Sequence, residues 1–140
     1  MLNWHSGTGK IVYDPYRGNL KKKKHWWCVV EVDREITRYY RWWIQSQLHI
    51  SGLCQPSWDA HISVLRGEKP REDLMHLWKK YNGHSITFRY KHDPHFIKDR
   101  ESTGFYWMVD VDCPQLINIR KELQRPSNWQ LHLTVGRTWY

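Results

Sequence analysis

Trp58-Asp59-Ala60-His61-Ile62-Ser63-Val64-Leu65-Arg66 returns near the end of the chain as Trp129-Gln130-Leu131-His132-Leu133-Thr134-Val135-Gly136-Arg137. Trp, His, Val and Arg recur identically; Ile/Leu and Ser/Thr recur conservatively. Pro56-Ser57 and Pro126-Ser127 precede the two copies. Upstream of each lies a second match, Trp27-Cys28-Val29-Val30-Glu31-Val32-Asp33 and Tyr106-Trp107-Met108-Val109-Asp110-Val111-Asp112. Both end in Val-acid-Val-Asp and run straight into a helical pattern. The chain is a duplicated strand–helix–strand unit, and the repeat organises everything else.

Working outward, Trp27 to Asp33 is β-branched and alternating, which predicts a strand. Asp33 caps a helix from Arg34 to about Leu48, whose Ile36, Tyr39, Tyr40, Trp43 and Ile44 follow helical spacing. Ala60 to Leu65, Ser85 to Tyr90, Phe105 to Asp112 and Leu131 to Arg137 read as strands. Pro114 to Leu123 reads as a helix opening on proline, and Glu72 to Trp78 as a short helix. His92 to Thr103 is polar and turn-rich, hence a loop. Met1 to Lys24 reads as an irregular arm with one short strand at Lys10 to Tyr13. One domain over 1–140 is expected, with repeats at about 26–67 and 105–138.

In a strand, side chains two apart share a face. His61 and Ser63 therefore point one way while Ile62 and Val64 point into the core; His132 and Thr134, against Leu133 and Val135, do the same. A pseudo-two-fold arrangement brings two imidazoles and two hydroxyls to one centre. Phosphodiester cleavage needs that set. A neutral His takes the proton of an attacking hydroxyl, a protonated His gives one to the leaving oxygen, and imidazole titrates near about 6.5. The Ser and Thr hydroxyls donate to non-bridging oxygens, where charge builds. His49-Ile50-Ser51 shows how weak such a triplet is alone: it sits at a helix end outside any repeat.

The net charge of +8 and the ten Trp suggest an anionic, ring-bearing partner, a nucleotide or nucleic acid. No apolar run could span a bilayer and none at the start reads as a signal peptide, so a cytoplasmic protein is expected. Cys28, Cys54 and Cys113 read as reduced thiols.

Substrate contacts are expected from Tyr13 and Trp107, as stacking rings, and from Lys10 close by. Arg66 and Arg137 can clamp phosphate, though their odd offset from the His points them to solvent at the strand end. Trp58 and Trp129 read as core more than as stacking platforms, and Lys21 to Lys24 as a solvated run more than a phosphate grip. His84, His92 and His95 with Asp93 match no tetrahedral metal spacing, so no metal and no cofactor is called for. Gly7-Thr8-Gly9-Lys10 lacks the full spacing of a phosphate-binding loop.

The paired motifs His61-Ile62-Ser63-Val64 and His132-Leu133-Thr134-Val135 resemble the two signatures of the 2H phosphoesterase superfamily, over roughly Trp26 to Arg137. Gly7 to Pro15, Tyr39-Tyr40-Arg41-Trp42-Trp43 and Trp58 to Glu68 are similar to the small phage anti-CBASS phosphodiesterases, which degrade cyclic di- and trinucleotide signals and so disarm bacterial immunity. The resemblance implies an α+β, bilobal fold with two antiparallel sheets flanking a central cleft. It implies metal-independent hydrolysis of 3′-5′ bonds in a cyclic oligonucleotide, in a host bacterial cytoplasm, with His61, Ser63, His132 and Thr134 as the reacting groups. An RNA-end or 2′-5′ phosphodiesterase is the alternative within enzymes; a non-catalytic nucleotide- or RNA-binding module is the alternative outside them.

Overall fold

A computed structural model describes residues 3–16, 25–55 and 60–139. Its strands are β1 (Trp4–Tyr13), β2 (Trp27–Val32), β3 (His61–Arg66), β4 (Ser85–Lys91), β5 (His95–Lys98), β6 (Gly104–Asp112) and β7 (Leu131–Trp139). Two α-helices, α1 (Arg34–Gln47) and α2 (Pro114–Glu122), follow β2 and β6, and a 3-10 helix covers Glu72–Leu77 where a short helix is expected.

The strands form one antiparallel sheet in the order β4-β1-β2-β3-β7-β6-β5. A further ladder, Arg89 to Asp112 and Tyr90 to Val111, joins β4 to β6 and closes six strands into a barrel. β5 pairs with the other end of the same β6 edge. This overturns the bilobal α+β fold with two sheets flanking a cleft. The physical reason lies in two ladders. β3 and β7 pair directly at Ile62 and Leu133, so the halves share a backbone ladder where the two-sheet reading sets a cleft between them. β1, expected as an arm with a four-residue strand, is ten residues long and bonds to β2 on one edge and β4 on the other.

Low strand propensity hid β1, because its glycines serve a close approach. A Cβ on Gly9 would fall 2.5 Å from Val30 Cγ1, and one on Gly7 2.8 Å from Phe88 Cζ. Packing here outweighs propensity. β5 lies inside the expected His92–Thr103 loop for a related reason: four exposed residues give too short a pattern to read.

One apolar cluster takes Val30 from β2, Ile62 and Val64 from β3, Val109 and Val111 from β6, and Leu131, Leu133 and Val135 from β7. Tyr40 and Ile44 of α1 and Leu116 and Ile119 of α2 belong to the same cluster. Asp33 caps α1 as expected, its carboxylate accepting from the Glu35 amide at 2.9 Å. With one sheet face given to the core, alternation sends the intervening side chains to the other. Among the described residues, no helix is long and apolar enough to cross a membrane.

Candidate active site

Antiparallel pairing about Ile62 and Leu133 sets Ser63 toward His132 and His61 toward Thr134. All four side chains are half-buried, between core residues exposed to 0–2%. The register thus gathers the two His and two hydroxyls on adjacent strands, around a local two-fold through the Ile62/Leu133 pair.

The neighbouring strands add acids that the spacing argument did not assign. Glu31 of β2 is the register partner of His61, and Asp110 of β6 is the register partner of His132. These are the acids of the two Val-acid-Val-Asp stretches, so the repeat itself carried the signal. Beyond Glu31 the next partner is Lys10 of β1, exposed on this face. Beyond Asp110 stands His95 of β5, its Nε2 2.9 Å from Asp110 Oδ1. Burial is the main cause holding His132 below the ordinary imidazole range. Contact with the Gln130 backbone and the Asp110 charge work against it, while Arg66 and His95 reinforce it.

Arg66 and Arg137 reach this face through a device that strict alternation cannot show. The β2–β3 register slips between Cys28 and Val29, leaving Val64 as the extra residue. The β6–β7 register slips between Trp107 and Met108, leaving Val135. A bulge of one residue inverts the parity beyond it, so both Arg return to the face of their His. Each lies opposite an aromatic residue at the equivalent repeat position. Arg66 Cζ is 5.2 Å from the Trp27 ring centre, and Arg137 Cζ is 4.6 Å from that of Tyr106. Trp27 and Tyr106 are further members of the site that sequence reasoning missed. The Val64 carbonyl is met by a charged donor, Arg120 Nη1 of α2 at 2.8 Å.

Tyr13 and Trp107 are placed elsewhere. Tyr13 is 5% exposed, in the core cluster, with its ring edge-on to Trp78 at 5.0 Å. Its turn serves structure: the Asp14 carboxylate accepts from the Trp26 and Trp27 amides and from Trp78 Nε1. Trp107 is 6% exposed and donates from Nε1 to Thr138 Oγ1 at 3.0 Å. Neither ring is available for stacking on a base in this state. Trp129 packs its ring on the Arg120 guanidinium at 4.2 Å. Trp58 and Lys21 to Lys24 lie outside the described residues.

The three loop histidines are dispersed. His84 packs against Tyr81, His92 Nδ1 is 2.9 Å from His5 Nε2, and His95 belongs to Asp110. Among the described residues, no group of three or more His, Cys, Asp or Glu side chains is placed to hold a metal ion. Cys28 and Cys113 are buried free thiols and Cys54 an exposed one. Comparison of the chain with family models, with curated proteins and with solved structures finds no match.

Proposed function

We propose that the chain is a phosphodiesterase of the two-histidine kind, acting without a metal on 3′-5′ bonds of cyclic di- or trinucleotides in a bacterial cytoplasm, and so serving a phage against nucleotide-signalled immunity. The observation that carries the reading is the gathering of His61, Ser63, His132 and Thr134 on two adjacent strands, with an arginine brought back to each by a bulge. The ribose 2′-hydroxyl attacks phosphorus and yields its proton to His132, the imidazole whose protonation burial disfavours. His61 protonates the departing 5′-oxygen, and a 2′,3′-cyclic phosphate forms as the P–O5′ bond breaks. Water can open that product with the two roles reversed. Ser63 and Thr134 donate to the non-bridging oxygens; Arg66 binds a phosphate from the side.

The test is incubation with cyclic dinucleotides, cyclic trinucleotides and matched linear 3′-5′ and 2′-5′ dinucleotides in EDTA, read by chromatography. Cleavage of the cyclic set, with a 2′,3′-cyclic phosphate appearing first, is the expected result. Cleavage confined to the linear set gives the site to RNA ends or 2′-5′ links. Tight binding with no turnover of any of them sinks the catalytic reading.

A further inference from the structure

We infer that Asp110 is the positioning residue of His132 and that His95 competes for the same carboxylate, so that the second half of the site is tuned by a His95–Asp110–His132 row. The inference rests on the proposed role of His132 and extends it to two residues that the repeat alone does not pair. Asp110 and His132 are register partners on adjacent strands, and alternation puts both on one face. His95, on the last strand of the sheet, closes on Asp110 at 2.9 Å from the opposite side. Asp110 thus stands between two imidazoles, bonded to His95 and facing His132 across the ladder. His95 is 46% exposed and Asp110 23%, so the outer imidazole meets solvent protons while the inner one is shielded.

The charges facing His132 come from every strand around it. Arg66 of β3 and His95 of β5 disfavour its proton, Asp110 of β6 favours it, and on its own strand the Gln130 backbone favours it. Beyond Asp110, Arg89 and Lys91 of β4 line a cavity of about 420 Å³ that Asp110 also lines, with Arg89 held by Asp112. Burial alone makes an imidazole a weak base. A carboxylate across the ladder restores basicity and holds the ring with one nitrogen toward the substrate. His95, in contact with the same carboxylate, works against that support, so the inner imidazole keeps only part of it. In the first half the matching place, the register partner beyond Glu31, holds Lys10 and no imidazole.

Two variants separate the terms, Asp110→Asn and His95→Gln. The primary readout is NMR titration of the His132 imidazole in the substrate-free protein, which needs no turnover. Asp110→Asn should move the His132 midpoint to lower pH, and His95→Gln should move it to higher pH. The pH–rate limb assigned to His132 should follow in the same two directions. Merely structural roles would not give opposite displacements. If neither midpoint moves, or both move the same way, the row is wrong. If Asp110→Asn fails to fold, His95→Gln at the exposed sheet edge decides alone. Opposite NMR shifts without phosphodiesterase activity would keep the row and discard the reaction.

Discussion

The two halves of the sheet carry the same chemistry in different electrostatic states. In the first half Arg66 is exposed over Trp27, and among the described residues its guanidinium has no ion-pair partner. In the second half Arg137 also lies over an aromatic ring, yet it is bound to Asp99 at 2.7 Å and Ser102 at 2.9 Å and covered by Trp139. The last acids of the two Val-acid-Val-Asp stretches diverge as well: Asp33 caps α1, while Asp112 holds Arg89 at the barrel closure. Duplication supplied two equal sets of groups, and the surroundings then separated them. Among the described residues, the arginine of the first half carries no ion pair and that of the second is bound to Asp99. On the proposed reading, a substrate phosphate enters from the side of Arg66.

The comparison breaks most sharply at the imidazoles. His61→Ala and His132→Ala should each lower kcat by about 10²–10⁴-fold, because acid and base are both required in one step. Circular dichroism should show both variants folded, since each side chain leaves a half-buried polar face and not the core. A variant near wild-type rate would mean that its half is decorative.

Next comes the strut between the halves. Arg120 of α2 is 1% exposed and donates to the Val64 carbonyl, to both Glu68 carboxylate oxygens and to the Pro126 carbonyl. It ties the bulge of the first half to the helix of the second. Arg120→Met leaves Glu68 and the Val64 carbonyl without their partner, and removing one side of a buried pair costs about 3–5 kcal/mol. Denaturant melts should show that loss, and activity should fall with the bulge geometry even where the protein stays folded. Retained stability would mean that water replaces the guanidinium.

The two site arginines should respond in opposite currencies. Arg66→Ala should weaken nucleotide affinity about tenfold or more, the scale of one charge-assisted hydrogen bond, and leave melting unchanged. Arg137→Ala should lower the melting temperature and affect affinity less, because its charge is already committed to Asp99. Affinity and melting are measured on both variants; equal affinity losses would show that the halves are electrostatically alike after all.

How much of this is legible in the sequence follows from which signals are local. The His and hydroxyl parity, the Asp33 cap and the core alternation need only short-range relations, and the repeat needs only a comparison of the chain with itself. The sheet order is not local. Nothing within the Gly-Thr-Gly-Lys stretch states that Gly7 and Gly9 lie beneath Phe88 and Val30, so β1 reads as an arm and the closed barrel is lost with it. The bulges at Val64 and Val135 invert parity without changing any residue type, so the arginines read as solvent-bound. Tyr13 and Trp107 are expected as stacking rings, but a large ring argues equally for burial, which is where both sit. Asp110 is visible as a repeated acid; its tie to His95 requires β5, too short and too exposed to be recognised.

The smallest expected effect concerns the cost of folding around His132. Burial disfavours its proton in the folded state, so the folded midpoint lies below that of the unfolded chain, near about 6.5. As pH falls past that value the unfolded chain takes up a proton that the folded one resists, and stability falls with it. The contribution is fully present above about 6.5 and declines as pH drops toward the folded midpoint; below that it is constant. His132→Asn removes the term, so wild type should lose more stability than the variant between neutral and mildly acidic pH, with the two curves running parallel above the window. Asp110→Asn should deepen the wild-type decline, because the carboxylate is a charge opposing the shift. Urea melts at a series of pH values measure both differences. Curves for wild type and His132→Asn that stay parallel through the whole range would show that His132 is solvated, and that the two halves of the site do not differ in the way proposed.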